Sequence, residues 1–307
     1  MNDRDEIEAE TEYGIAPVGF RLPAATRPGR VRLQVADLEK SLAFYQQVLG
    51  LRVLEKLGSA VSLGAHEAEP PVVELLERPG AAAVPRRGRL GLFHFAILLP
   101  DRAALGRFVA HLTSIAVRAG ASDHLVSEAL YLQDPDGLGI EVYADRPRST
   151  WRHEDRQLVM ATEPLDLSSV VAAGGGEPWS GMPAGTAIGH VHLHVGRLDE
   201  ASAFYHEALG LDRVVWNYPG ALFLSAGGYH HHLGLNTWAA GAEPAADDEA
   251  RLLEWELLVP SARDAERALD SLAAVDHPVQ RDAEGGVARD PWGTVLRIRA
   301  AAPRSAE

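Results

Sequence analysis

The chain groups its most reactive side chains around one tight turn. His124, Tyr131 and Glu141 supply an imidazole, a phenol and a carboxylate on either side of the D-P-D-G sequence at 134–137. Because proline presets φ, glycine tolerates positive φ and apolar residues alternate on both sides, the segment predicts a β-hairpin. Alternation at period two places Tyr131, Glu141 and Tyr143 on one polar face. The alternative is an ordinary turn on a solvated sheet edge.

Two further groups of histidines come later in the chain. His190, His192 and His194 alternate with apolar residues and therefore share one face of a predicted strand. Three consecutive histidines occupy positions 230–232, where the alternative interpretation is a polar strand end with adventitious metal affinity. The chain contains 13 histidines and no cysteine, which excludes disulfides, thiolate catalysis and zinc–thiolate sites and leaves imidazole chemistry open.

Predicted βαβββ units position these residues. The first unit begins with a strand at Arg30, continues with a helix between Asp37 and Gly50, and ends with three short strands. The second unit begins with a strand over 91–99 that carries His94, followed by a helix and the hairpin described above. Each unit therefore ends in strands that can pair with its first strand.

The pattern then repeats. Residues 35–51 read V-A-D-L-E-K-S-L-A-F-Y-Q-Q-V-L-G-L and return 160 positions later as V-G-R-L-D-E-A-S-A-F-Y-H-E-A-L-G-L at 195–211, while D-P-W-G at 290–293 repeats the turn. Repetition of this kind fixes architecture, and it predicts an α+β fold that is a tandem duplication with four βαβββ units. The predicted divisions are a mobile N-terminal tail (1–28), domain one (29–145), a linker (146–187), domain two (188–300) and a C-terminal tail (301–307).

Composition limits the classes of partner. The formal net charge of -14 disfavours nucleic acid and anionic membranes and favours a small uncharged or cationic ligand. No apolar run approaches the roughly 20 residues that span a bilayer, and the acidic N-terminus is unlike a signal peptide. We therefore expect a soluble cytoplasmic protein.

The recurring A-F-Y helix, its L-G-L end and the late D-P-x-G turn resemble the vicinal-oxygen-chelate (VOC) superfamily, which includes glyoxalase I, bleomycin-resistance proteins and extradiol dioxygenases. The resemblance covers about residues 30–145 and 188–299. It implies that paired units curl their sheets into an open cup with a metal on the concave face.

The resemblance also implies where metal ligands stand, on the first strands of cup-forming units and on the last strand of a unit. Arginine cannot bind a metal, so the complete set is His94, Glu141 and His190. These residues come from units two and three, which predicts that the metal-binding cup forms across the two domains. Units one and four would then form a second cup that has only a structural role. The positions that we compared are Arg30, His94, His190 and Glu254 on first strands, and Glu141 and Arg297 on last strands.

Two histidines and a carboxylate form the facial triad expected of non-haem Fe(II), with Mn(II) as an alternative. The spacing of His124, Tyr131, the D-P-x-G turn and Glu141 closely resembles the extradiol dioxygenase signature, which implies catalytic roles for His124 and Tyr131. His231, followed by x-apolar-x-apolar, matches the acid–base histidine of those enzymes. Strand alternation instead favours His230 or His232, and both stay as alternatives.

The resulting hypothesis is an extradiol, meta-cleaving dioxygenase that opens catechol or a substituted catechol with O₂, as in the catabolism of aromatic hydrocarbons. A glyoxalase-type metal-dependent isomerase or lyase is the first alternative, and a metal-free binding protein for a small aromatic drug is the second. The expected partners are an aromatic diol and O₂, without nucleic acid or membrane. The oligomeric state stays open.

Overall fold

The computed structural model describes residues 13–65 and 70–302. Within these ranges the chain forms four βαβββ units, and the predicted α+β duplication is confirmed. Unit one comprises β1 (Arg27–Val35), α1 (Leu38–Gln47), β2 (Arg52–Leu57), β3 (Ala60–Gly64) and β4 (Val73–Glu77). Unit two comprises β5 (Gly91–Leu98), α2 (Arg102–Ser114), β6 (Gly120–Asp123), β7 (Ser127–Gln133) and β8 (Gly139–Asp145).

The second half repeats this order after a connection that has structure of its own. The connection holds a 3₁₀ turn (Arg148–Thr150), the short strands β9 (His153–Glu154) and β10 (Gln157–Leu158), and helix α3 (Leu167–Ala173). Unit three comprises β11 (Ala187–His194), α4 (Leu198–Ser202) with a π-helical extension (Ala203–Ala208), β12 (Asp212–Val215), β13 (Ala221–Ser225) and β14 (Leu233–Asn236). Unit four comprises β15 (Arg251–Val259), α5 (Ala262–Ala273), β16 (Val279–Asp282), β17 (Gly285–Arg289) and β18 (Val295–Ala300).

The two sequence motifs that repeat are hydrogen-bonded to each other. In the first half the Tyr45 hydroxyl of the A-F-Y helix donates to Asp134 of the D-P-x-G turn over 3.3 Å. In the second half Tyr205 donates to Asp290 over 3.0 Å. Both tyrosines are fully buried, so each bond satisfies a polar group in the core and ties one unit to the next.

Each eight-stranded sheet combines one unit from each half of the chain. One sheet has the order β12-β13-β14-β11-β5-β8-β7-β6 and joins units three and two, while the other, β16-β17-β18-β15-β1-β4-β3-β2, joins units four and one. In the first sheet β5 and β11 pair antiparallel at the centre. The prediction that unit two pairs with unit three is therefore confirmed.

Ion pairs occupy the second sheet at the positions that carry His94, Glu141 and His190 in the first. Arg30, the counterpart of His190, pairs with Glu74 at 3.1 Å and with Glu256 at 2.9 Å. Arg297, the counterpart of Glu141, pairs with Glu254 at 3.0 Å. Because each of these carboxylates is matched by a guanidinium, this face is neutralised internally, and its described residues offer a cation no free ligand set.

The N-terminal segment contacts the rest of the protein over the residues that the structure describes. Residues 1–12 lie outside the described part, but Gly14 N–H donates to the Arg156 carbonyl and Ile15 bridges to Arg213 of β12. Leu22 is buried, so residues 13–26 lie against the second half, and the first strand already begins at Arg27. Backbone and apolar contacts therefore join the described residues 13–26 to the fold, and the mobility of the tail stays a prediction. The predicted C-terminal tail lies outside the described residues from 303 onward.

Within 13–65 and 70–302, no helix has the length and apolar character needed to cross a membrane.

Candidate metal centre

His94, Glu141 and His190 bring three ligand atoms to one point on the central strands. His94 Nε2 lies 3.0 Å from Glu141 Oε2, and His190 Nε2 lies 3.2 Å from the same oxygen. The two imidazole Nε2 atoms are 3.4 Å apart. The residues stand on β5, β8 and β11, and each side chain is almost completely buried. The predicted ligand set is therefore assembled in space across the two halves of the chain.

The dimensions of this triangle fit a metal ion. Neighbouring corners of an octahedron with bonds of about 2.1 Å lie about 3.0 Å apart, close to the three separations in the protein. Glu141 Oε1 and His190 Nδ1 are buried and have no hydrogen-bond partner. Since a buried carboxylate oxygen without a donor is costly, a cation beside Glu141 would offset that cost. The three residues could hold a metal ion.

The electrostatics of the triangle favour the protonation states that metal ligands need. Burial lowers the pKa of His190 to about 4, although the neighbouring Glu141 opposes this shift. Burial by itself would raise the pKa of Glu141, but His190 and His94 outweigh it and hold that pKa well below its usual range. Near neutral pH the site therefore presents a neutral imidazole at His190 and a carboxylate at Glu141.

His124 and Tyr131 form a connected pair at one side of the triangle. Tyr131 lies directly opposite Glu141 in the β7–β8 pairing, so its side chain projects toward the same face. His124 Nδ1 lies 2.7 Å from the Ala161 carbonyl and donates to it. The other nitrogen, Nε2, must then accept the Tyr131 hydroxyl proton over 2.6 Å. The phenol oxygen is left free to accept a further hydrogen bond.

His231 lies on the opposite side, and the structure distinguishes it from its two neighbours. Its ring centroid is 4.0 Å from that of His190, and among positions 230–232 it is the residue that lines the cavity. His230 is fully buried and bonds to Asp145, while His232 Nδ1 accepts the Ala226 N–H over 3.2 Å. Strand alternation favoured His230 and His232 on the assumption that the three histidines belong to a strand. That assumption fails because β14 begins only at Leu233, after the histidines.

A cavity of about 250 Å³ lies between these groups. It is lined by His192 and by the six predicted site residues His94, His124, Tyr131, Glu141, His190 and His231. The other lining residues are Phe93, Ser122, Met160, Ala161, Thr162, Tyr218, Phe223 and Trp238, so the cavity is largely apolar and has no lysine or arginine in its described lining. The remaining strand histidine, His194, lies outside the lining and bonds to Asn236 at 2.7 Å.

Several lining residues were not predicted from the sequence. Met160, Ala161 and Thr162 belong to the segment interpreted as a linker, and they cover the cavity from outside the repeated units. Phe93 precedes His94 on β5, whereas Phe223 lies on β13 and Trp238 follows β14. Phe93 could have been predicted to lie near the site, because it directly precedes the predicted ligand His94 in the sequence. No local pattern marked the residues at 160–162.

Gly189 makes room for Tyr143 beside the ligand His190. A Cβ at position 189 would overlap the Tyr143 phenol oxygen and lie 2.6 Å from its Cζ. We therefore expect Gly189→Ala to lower the free energy of unfolding by about 2 kcal/mol or more and to reduce metal retention, because Tyr143 packs 5.0 Å from the His190 ring. The control is Gly241→Ala, where the added methyl meets open space. Equal urea midpoints for the two variants would contradict the prediction.

The sequence and the fold both have relatives. The model of the glyoxalase/bleomycin resistance protein/dioxygenase superfamily matches residues 27–142 and 187–298. The chain belongs to this superfamily. A relative in Bacillus subtilis (strain 168), a catechol-2,3-dioxygenase, is 47% identical over 237 residues, which are 76% of this chain and 82% of the relative.

Two solved structures match the superfamily fold at low sequence identity. A Bacillus subtilis protein provisionally assigned as a dioxygenase superposes with a TM-score of 0.62 at 15% identity, over 92% of this chain and 87% of that one. Glyoxalase I from Zea mays gives 0.52 at 18% identity, over 90% and 92%. At such identities these matches establish the fold alone.

Proposed function

We propose that this superfamily member is an extradiol dioxygenase that opens the ring of catechol or a substituted catechol with O₂. The observation that carries the proposal is the placement of a two-histidine, one-carboxylate triangle in an apolar cavity, with an imidazole on one side and a phenol–imidazole pair on the other. The 47% identity to a catechol-2,3-dioxygenase supports the same activity.

In this proposal His94, Glu141 and His190 hold Fe(II), with Mn(II) as the alternative that the same donor set accepts. A bound Fe(II) supplies Lewis acidity toward the catechol oxygens and the electron exchange with O₂. All three ligands lie on strands, which keeps them rigid and confines substrate to the open side of the triangle.

His231 is positioned to move a proton of the substrate. Burial and the nearby histidines hold its pKa well below the ordinary value, so at neutral pH the ring is neutral and can accept a proton. Its location on the cavity wall, stacked 4.0 Å from His190, brings it beside any diol bound at the triangle. His231 would take the hydroxyl proton of the diol and return a proton later in the reaction.

Tyr131 and His124 would orient the substrate oxygens from the other side. Because the Tyr131 hydroxyl proton is engaged with His124 Nε2, the phenol oxygen accepts a hydrogen bond from the diol. As negative charge develops on the substrate, the phenol proton can turn toward it while His124 remains fixed by the Ala161 carbonyl.

We expect Tyr131→Phe to lower kcat by about 10- to 100-fold without loss of metal, since it removes one hydrogen bond to a charged oxygen and leaves the triangle intact. Steady-state kinetics with metal analysis on the same sample would check this. A variant that loses its metal would mean that Tyr131 has a structural rather than a catalytic role.

The cavity favours an uncharged ring. Its walls are aromatic and aliphatic, and no lysine or arginine in the described lining could pair with a substituent carboxylate. Because burying an unpaired charge costs several kcal/mol, we expect kcat/KM for 3,4-dihydroxybenzoate to be at least about 100-fold below that for 4-methylcatechol. Comparable values for the two substrates would contradict this prediction.

Turnover of catechols tests the proposed function. Protein purified without oxygen and loaded with Fe(II) should, under air, convert catechol to a yellow ring-opened semialdehyde with consumption of one O₂ per catechol. If a panel of catechol and alkylcatechols gives neither absorbance change nor oxygen uptake, the proposal is wrong. An activity with Ni(II) or Zn(II) that needs no oxygen would instead indicate a glyoxalase-type isomerase. The triangle contains one carboxylate, and the described residues add no second one to that metal-binding group.

A further inference from the structure

We propose that Asp145 and His230 are positioning residues that hold His231 in the tautomer with its Nε2 lone pair available to substrate. The proposal rests on the proposed function, because it concerns the proton transfer assigned to His231. It goes beyond that function by assigning two residues outside the cavity lining.

The three side chains form a continuous hydrogen-bonded chain. Asp145 Oδ1 lies 2.9 Å from His230 Nε2, and His230 Nδ1 lies 2.8 Å from His231 Nδ1. His230 is fully buried, so both of its ring nitrogens are used within the protein. Among the four ring nitrogens of His230 and His231, His231 Nε2 is the one without a hydrogen-bond partner in the described residues, and His231 lines the cavity.

These contacts determine which nitrogen carries each proton. The Asp145 carboxylate can only accept, so His230 Nε2 must donate to it. A neutral His230 then has a lone pair on Nδ1, and His231 must donate its Nδ1–H to that lone pair. The remaining nitrogen, His231 Nε2, is left unprotonated. The carboxylate therefore sets the tautomer of a ring that it does not touch.

The same chain stabilises the charge that the reaction creates. When the diol O–H bond breaks and an N–H bond forms at His231 Nε2, the ring becomes an imidazolium and its Nδ1–H donates more strongly to His230. His230 in turn donates more strongly to the Asp145 carboxylate. No proton has to travel along the chain, just as an aspartate that orients a catalytic histidine in hydrolases stays ionised.

Asp145 is itself held in place by hydrogen bonds that involve two tyrosines. Tyr229 donates its hydroxyl proton to Asp145 over 3.1 Å, and the Tyr143 hydroxyl lies 2.6 Å from that of Tyr229. Asp145 and Glu141 lie four residues apart on β8. One strand thus supplies a proposed metal ligand and the carboxylate that orients the proposed acid–base group on the other side of the cavity.

Asp145→Asn tests the proposal, because an asparagine can offer an N–H to His230 Nε2 where the carboxylate could only accept. His230 would then carry its proton on Nδ1 and donate to His231, whose Nε2 would become protonated. We expect kcat with catechol to fall by about 100- to 1,000-fold with KM and metal content unchanged, as a wrong tautomer does in related hydrogen-bonded pairs. Asp282→Asn is the matched control, since Asp282 is a partly exposed carboxylate on the other sheet.

Long-range ¹H–¹⁵N correlation spectra of histidine-labelled protein, metal-free and Zn(II)-loaded, report the tautomers independently of activity. The proposal expects His231 protonated on Nδ1 in the wild type and on Nε2 in Asp145→Asn. A wild-type His231 protonated on Nε2 overturns the proposal even if the protein cleaves no catechol. An active wild type with kcat unchanged within about threefold in Asp145→Asn also overturns it, while leaving the proposed dioxygenase activity intact.

Discussion

His190→Ala should abolish both metal loading and turnover. The substitution removes one of the three ligand atoms, the one that unit three contributes. The two remaining ligands, His94 and Glu141, both come from unit two in the first half of the chain. Loss of an outer-shell partner commonly costs 10- to 100-fold in metal affinity, and loss of a ligand should exceed that. Metal content after anaerobic loading with one equivalent of Fe(II), followed by desalting, measures the effect.

His194→Ala is the matched control for this experiment. His194 lies on the same strand and shares the same predicted face, but it bonds to Asn236 and lies outside the cavity lining. It should retain close to one iron per chain. Stoichiometric iron in His190→Ala would refute a site shared between the two halves.

His231→Gln should lower kcat by about 100- to 10,000-fold, the range over which general acid–base groups act. Metal content should not change, because His231 packs against His190 but contributes no atom to the ligand triangle. KM should change little, since Phe223 and the other apolar walls still enclose the ring of the substrate. Pre-steady-state and steady-state rates with catechol would measure the loss.

The neighbouring histidine provides the control. In His232→Asn the amide oxygen can accept the Ala226 N–H that His232 Nδ1 accepts now, so the fold and kcat should be preserved. A loss of activity in His232→Asn with none in His231→Gln would instead assign the acid–base role to His232.

The architecture and the ligand triangle were predictable because both depend on repeated, local patterns. The A-F-Y helix and the D-P-x-G turn recur since each half needs the same Tyr–Asp hydrogen bond in its core. The resemblance to the superfamily implied which strand positions carry metal ligands, and arginine at Arg30 and Arg297 then left His94, Glu141 and His190 as the complete set. The structure brings these three together, and their role as metal ligands stays a prediction.

The parts that could not be predicted depend on contacts between distant segments. The residues at 160–162 cover the cavity through tertiary packing of an irregular connection, which leaves no periodic signal in sequence. The choice among the histidines at 230–232 depends on where β14 begins, and element boundaries are weakly encoded. The pairing of Asp145 with His230 joins residues 85 positions apart in different halves.

Anomalous X-ray diffraction at the iron edge, from crystals of the Fe(II)-loaded protein, would show directly whether His94, Glu141 and His190 bind the metal. We expect one strong anomalous peak per chain, within bonding distance of His94 Nε2, His190 Nε2 and a Glu141 carboxylate oxygen. A peak at another group of residues, or a fully loaded protein with no peak at this triangle, would contradict it.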